Sequence, residues 1–154
     1  LGLYMVDLKF SPTKLKYYSW HKWIGVSVLL LAAARLLWKL WHPAPGLPAR
    51  TPQWQQNAAH ATHLLLYVLF FAQPLSGWLY SSAAGFQTVY LGLLPIPDLL
   101  AKDADLAATL KAVHRWLGYG LGALILAHIG AALKHQLIDR DRLIARMMPG
   151  PRIS

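Results

Sequence analysis

The sequence predicts an all-α membrane protein, a bundle of transmembrane helices, and three observations carry that expectation. Of 154 residues, 56% are hydrophobic and only 14% are charged, with a mean hydropathy of +0.35. Such a chain is too apolar for an ordinary soluble domain and too short for more than one. Three apolar stretches, about 18–41, 59–80 and 107–134, are long enough to cross a bilayer. Aromatic residues gather where those stretches end: Tyr17, Tyr18, Trp20 and Trp23 on one side of the first, Trp38 and Trp41 on the other, as in interfacial belts.

Taken in order, Leu1-Gly2-Leu3-Tyr4-Met5-Val6 reads like the last turn of a hydrophobic helix whose beginning is absent. A helix there would give four spans with both termini in the cytoplasm, a four-helix bundle with cofactors held between facing helices. After the first visible span, His42 to Pro52 holds four prolines and a glycine, an irregular connector that cannot continue the helix and makes the first two spans antiparallel neighbours. The link 81–106 includes Pro95-Ile96-Pro97-Asp98 and then an amphipathic stretch expected to lie along the membrane surface. The third span leads into a basic tail, 135–154. From Lys134 onward there are five basic and two acidic residues, whereas the preceding link carries Asp98, Asp103 and Asp105. That asymmetry places the tail and the first connector in the cytoplasm. The whole chain, 1–154, is then one transmembrane domain.

A net charge of +9 invites a nucleic-acid reading, but Lys and Arg flank apolar runs and form no polar, aromatic-laced surface. Anionic lipid headgroups are the better partner. With no cysteine, disulfides, cysteine-ligated iron–sulfur clusters, thiol catalysis and covalent c-type haem are all excluded. A bound metal must use His, Met, carboxylate or carbonyl ligands.

The histidines carry the chemistry. His21-Lys22-Trp23-Ile24-Gly25 returns as His114-Arg115-Trp116-Leu117-Gly118, each copy at the mouth of an apolar run. His128 follows His114 by fourteen residues, which returns it to nearly the same helix face about 21 Å further along the axis. One helix is thereby able to serve two stacked haems. A histidine inside a span is costly unless it is paired, and the alternative to ligation is a bond to a neighbouring Ser, Thr or carbonyl. Agreement of depth and face favours His21, His114 and His128 as iron ligands, with the first two meeting one porphyrin from opposite sides. Two histidines leave no open iron position, which suits electron transfer rather than oxygen binding. Gly25 and Gly118 lie one turn from these ligands, where a missing side chain makes room for a flat macrocycle, or for close helix packing.

Arg35 lies fourteen residues after His21 and belongs at the lower cofactor's depth, facing a propionate or a quinone carbonyl, or snorkelling to the interface. Lys22 and Arg115 stand beside the upper ligands, within reach of propionates or headgroups. His60, His63 and His135 converge at the cytoplasmic side, where protonatable groups beside a quinone deliver protons as electrons arrive. A transition-metal site has no supporting His-Glu-x-x-His or carboxylate cluster. His42, in the Pro-rich connector, is read as having no role.

These features occur together in one known family. A span opening His-x-x-x-Gly with Arg fourteen residues on, a second opening His-x-x-His and containing Pro74, a third with His-x13-His and a further His seven later, and the ending Leu143-Ile144-Ala145-Arg146-Met147-Met148-Pro149 resemble bacterial cytochrome b561 over essentially the whole chain. The resemblance implies a four-helix inner-membrane bundle with two b haems, one type of which oxidises superoxide at the periplasmic face and reduces ubiquinone at the cytoplasmic face. It implies His21 and His114 on the periplasmic haem and His128 on the cytoplasmic one, with Arg35, His63 and His135 near that haem or the quinone. In the family the second ligand of the cytoplasmic haem comes from the first helix. That helix lies outside this chain, the lower haem is lost, or His63 substitutes; the first is the expectation.

Two functions follow. One is a membrane oxidoreductase carrying single electrons from a periplasmic donor to ubiquinone, with Lys22, Arg115, Lys102 or Lys111 drawing superoxide toward the upper haem. The other is a haem-bearing anchor that links a dehydrogenase or hydrogenase partner to the quinone pool. A histidine-lined ion or metal transporter is a third reading, incompatible with tightly bound haem.

Overall fold

The structure is a computed structural model that describes residues 1–42 and 52–139. The Pro-rich connector beyond His42 and the tail from Arg140, including 143–149, lie outside the described residues. Among the described residues, four α-helices and one β-hairpin follow in the order α1 (Gly2–Asp7), α2 (Pro12–Trp41), α3 (Gln53–Ala83), β1 (Thr88–Tyr90), β2 (Leu94–Ile96) and α4 (Ala104–Lys134), with a π-helical turn at His135–Asp139. The three long helices are each apolar and long enough to cross a membrane.

The long helices outrun the apolar stretches that announce them. At thirty residues, α2 is about 45 Å long, against a hydrocarbon core of about 30 Å. Its first turn is set by local chemistry: Ser11 is the N-cap, its Oγ accepting from the Lys14 N–H at 3.2 Å, and Pro12 sits where a missing N–H costs nothing. Asp103 caps α4 in the same way, its carboxylate accepting from the Asp105 and Leu106 N–H groups. Gly2–Asp7 is helical, as its sequence suggests, and Met5 is buried in it.

α3 is the central element, packed most extensively on α4 and also on α2. Residue 21 lies near 114 and residue 63 near 128, while Arg35 shares a cavity with His63, so α3 runs antiparallel to both of its neighbours. Few side chains are fully buried, and large apolar residues such as Leu31 and Leu126 face outward, 69% and 72% exposed. Lipid is the solvent that suits such a surface.

The link between α3 and α4 contains structure that its sequence did not announce. Residues 88–96 form an antiparallel hairpin, with Thr88 opposite Ile96 and Tyr90 opposite Leu94. Leu91 and Gly92 both take positive φ at its turn, 54° and 74°; for leucine that conformation costs about 1–2 kcal/mol. α2 holds the hairpin in place. Trp23 Nε1 donates to the Val89 carbonyl at 2.7 Å, Lys22 Nζ donates to the Phe86 carbonyl at 2.8 Å, and Ser27 and Tyr90 hydroxyls lie 2.9 Å apart. The return to α4 is fastened to α3 by Trp78 Nε1 on the Pro97 carbonyl and by the Asp103 N–H on the Ala83 carbonyl.

Candidate haem sites

The helices bring the histidines together in two pairs. The rings of His21 (α2) and His114 (α4) have centroids 5.9 Å apart, nearly perpendicular at 79°. The rings of His63 (α3) and His128 (α4) have centroids 5.5 Å apart at 73°. Among the described residues no cluster of three or more potential metal ligands forms, so the donors come as pairs. Because His114 and His128 are fourteen residues apart on one helix, the pairs are stacked about 21 Å apart along it.

His21 and His114 both line a cavity of about 620 Å³, within the size range of cofactor sites. Its walls are mostly apolar, including Met5, Leu15, Val26, Leu29 and Pro74, and Lys14 and Lys22 stand among them. Lys14 Nζ also donates to the Val6 and Leu8 carbonyls, tying α1 to α2 across the rim. The pair fits a haem on three counts. Metal–imidazole bonds of about 2 Å on each side, with the reach of each ring, span about 6 Å between ring centres. The donors are neutral-capable imidazoles in apolar walls, the set that holds b haems. A buried polar atom beside them, Gln73 Oε1, has no hydrogen-bond partner.

Each upper histidine is seated against a glycine. A Cβ at Gly77 would lie 2.9 Å from His114 Cε1, and one at Gly2 would lie 3.1 Å from His21 Cε1. The two glycines picked out by sequence are placed differently. Gly25 lines the large cavity, and a Cβ there meets no atom within 4 Å; a Cβ at Gly118 would lie 3.2 Å from the Gln73 amide nitrogen. His114 also gains polar partners on α3: Ser76 Oγ lies 3.1 Å from its Nδ1, the Gln73 carbonyl 3.1 Å from Nδ1, and Gln73 Nε2 3.3 Å from its Nε2. Gln73, Ser76, Gly77 and Gly2 went unrecognised in the sequence. For the three on α3, the run Pro74-Leu75-Ser76-Gly77 inside an apolar span was the available signal.

At the other end, Arg35 and His63 line a smaller cavity of about 400 Å³ with Leu66, Tyr67 and Phe70. Lys39 Nζ lies 4.5 Å from the centre of the Tyr67 ring nearby. His135 is half-buried at the start of the π turn, and His60 is exposed. His42 stacks on Trp38, ring centres 4.0 Å apart. At the hairpin end Arg115 and Lys111 are exposed, and Lys102 packs along Gly85.

The chain resembles known proteins along most of its length. The family model for prokaryotic cytochrome b561 matches residues 1–150. The chain is 36% identical to cytochrome b561 homolog 2 of Escherichia coli K12, over 96% of this chain and 79% of that protein. It is 34% identical to cytochrome b561 homolog 1 of the same organism, over 92% and 80% of the two chains. A "probable superoxide oxidase CybB" of Yersinia pestis is 32% identical over 99% of this chain and 92% of its own length. The chain therefore belongs to the prokaryotic cytochrome b561 family, a family of haem-binding membrane proteins of electron transport.

Proposed function

We propose that the protein carries electrons from superoxide at the periplasmic face through two b haems to ubiquinone at the cytoplasmic face. The observation that carries this reading is the fourteen-residue spacing of His114 and His128 on α4 inside a membrane bundle, the first facing His21 of α2 and the second lying beside His63 of α3. The similarity to a relative named as a probable superoxide oxidase supports the choice of donor.

Haem supplies reversible one-electron chemistry when bound. His21 and His114, whose rings face each other from α2 and α4, would hold the upper group. His128 supplies one nitrogen to the lower group. His63 stands beside it as a proton-handling residue. Lys22 gives the upper cavity a positive rim, which draws a small anion and speeds encounter at low salt. Two superoxide ions give up one electron each and leave as dioxygen. Two protons taken up on the other side complete ubiquinol.

At the lower cavity Arg35 offers guanidinium donors to a quinone carbonyl, and Tyr67 and Phe70 supply flat apolar walls. His63, with His135 in the π turn that follows α4, relays protons from the cytoplasm. Gly25 leaves space for the upper macrocycle, while Gly118 allows α4 to approach the Gln73 side chain.

The test is stopped-flow reduction of the purified haem protein by superoxide, with ubiquinol formed in parallel. Reduction faster than free haem, declining with ionic strength, is the expected result. Reduction no faster than that of free haem at every ionic strength rejects superoxide as donor. The reading as a partner's haem anchor is favoured by one feature, the exposed hairpin leucines Leu91, Leu93 and Leu94. A stoichiometric dehydrogenase or hydrogenase retained in mild detergent would support it.

A further inference from the structure

We infer that Ser76 and the Gln73 carbonyl form a fixed seat for the imidazole of His114, holding its proton on Nδ1 and presenting Nε2 as the iron-binding nitrogen, and that this seat tunes the potential of the upper haem. The inference rests on the haem reading above and deepens it by assigning positioning residues on α3 that are not ligands.

The hydrogen bonds themselves fix the tautomer. The Gln73 carbonyl oxygen only accepts, so its 3.1 Å contact with His114 Nδ1 requires a proton on that nitrogen. Ser76 Oγ donates its own proton to the same carbonyl at 2.9 Å. Its lone pair is left to accept from Nδ1 at 3.1 Å. Both contacts are satisfied by one arrangement, Nδ1–H, and in a neutral ring that leaves Nε2 with a bare lone pair. The amide of Gln73 points its nitrogen at that lone pair from 3.3 Å, so a donor occupies the direction a metal would take.

Position makes the seat rigid. Ser76 is only 6% exposed, and the ring fills the space that a side chain at Gly77 would take, a Cβ there lying 2.9 Å from His114 Cε1. Hydrogen-bonding the far nitrogen of a ligating histidine raises its basicity, and removing such partners typically weakens metal binding 10–100-fold. A more basic ligand favours ferric over ferrous iron. Losing the Ser76 lone pair therefore destabilises the ferric form selectively and raises the midpoint potential. A tenfold preference corresponds to about 59 mV for one electron.

The experiment is a redox titration of the full-length, haem-loaded protein carrying Ser76→Ala or Ser76→Thr, followed by optical spectra and by electron paramagnetic resonance of the ferric state. The haem content of the unaltered protein reports separately on the haem reading, which fails if no b haem is present. With haem present, the expected result is one haem shifted to higher potential in Ser76→Ala, with an altered ferric signal, and both restored by Ser76→Thr. Selective loss of one haem in Ser76→Ala but not in Ser76→Thr also supports the seat. An unchanged potential in Ser76→Ala, or equal disturbance by both variants, overturns it.

Discussion

Substituting Gly77 by alanine tests the packing that the upper haem site depends on. The new Cβ would lie 2.9 Å from His114 Cε1 and 3.2 Å from Nδ1, where ordinary contact begins at 3.4 Å. Interiors pack too densely to absorb this elsewhere, so the ring must retreat from α3 by about 0.5 Å. Its two bonds from Nδ1, both 3.1 Å, run to the same helix and so lengthen to roughly 3.6 Å, beyond hydrogen-bond range. At about 1 kcal/mol for each bond, the loss is roughly 2 kcal/mol, or about 30-fold in affinity at this site. The assay is competitive transfer of haem to a haem-free acceptor, followed by the haem-to-protein ratio. A Gly77→Ala protein that retains both haems with affinity within twofold of the parent refutes the reasoning.

Gly25→Leu gives the converse case, because a Cβ there meets no protein atom within 4 Å; loss of one haem without loss of the fold by circular dichroism is expected, and full haem content would show that the macrocycle lies elsewhere. Replacing His63 by leucine is expected to leave both haems in place while slowing ubiquinol formation at least tenfold, a general base or acid being worth roughly that or more. Loss of a haem would make His63 a ligand instead. Trp23→Phe removes the indole donor to the Val89 carbonyl and should loosen the hairpin by about 1 kcal/mol, seen as faster cleavage between β1 and β2 by added protease with haem content unchanged.

Much of the bundle was legible because lipid imposes a coarse, one-dimensional rule: three long apolar runs must be helices, and aromatic belts mark their ends. The histidine spacing was legible for a similar reason. A helix converts fourteen residues into one face and a known rise, so the meeting of His114 with His21 could be anticipated, whereas the close approach of His63 to His128 was only a secondary expectation. Helix ends were less legible. Ser11-Pro12 and Asp103 are ordinary start signals, yet they lie outside the apolar stretch and so beyond a reading governed by hydropathy. The hairpin was obscured because its strands are three residues each, its turn puts a leucine at positive φ, and Pro95 sits within β2. The seat of His114 was hidden for a different reason. Gln73, Ser76 and Gly77 act on a residue some forty positions away, and only the packing of α3 on α4 makes them neighbours.

Counting haems in the purified protein and in single histidine variants tests the central claim most directly, by pyridine haemochrome and reduced-minus-oxidised spectra. Two b haems are expected in the parent protein, with loss of the same one in His21→Leu and His114→Leu and loss of the other in His128→Leu. A protein without b haem, or one in which His114→Leu keeps both, contradicts it.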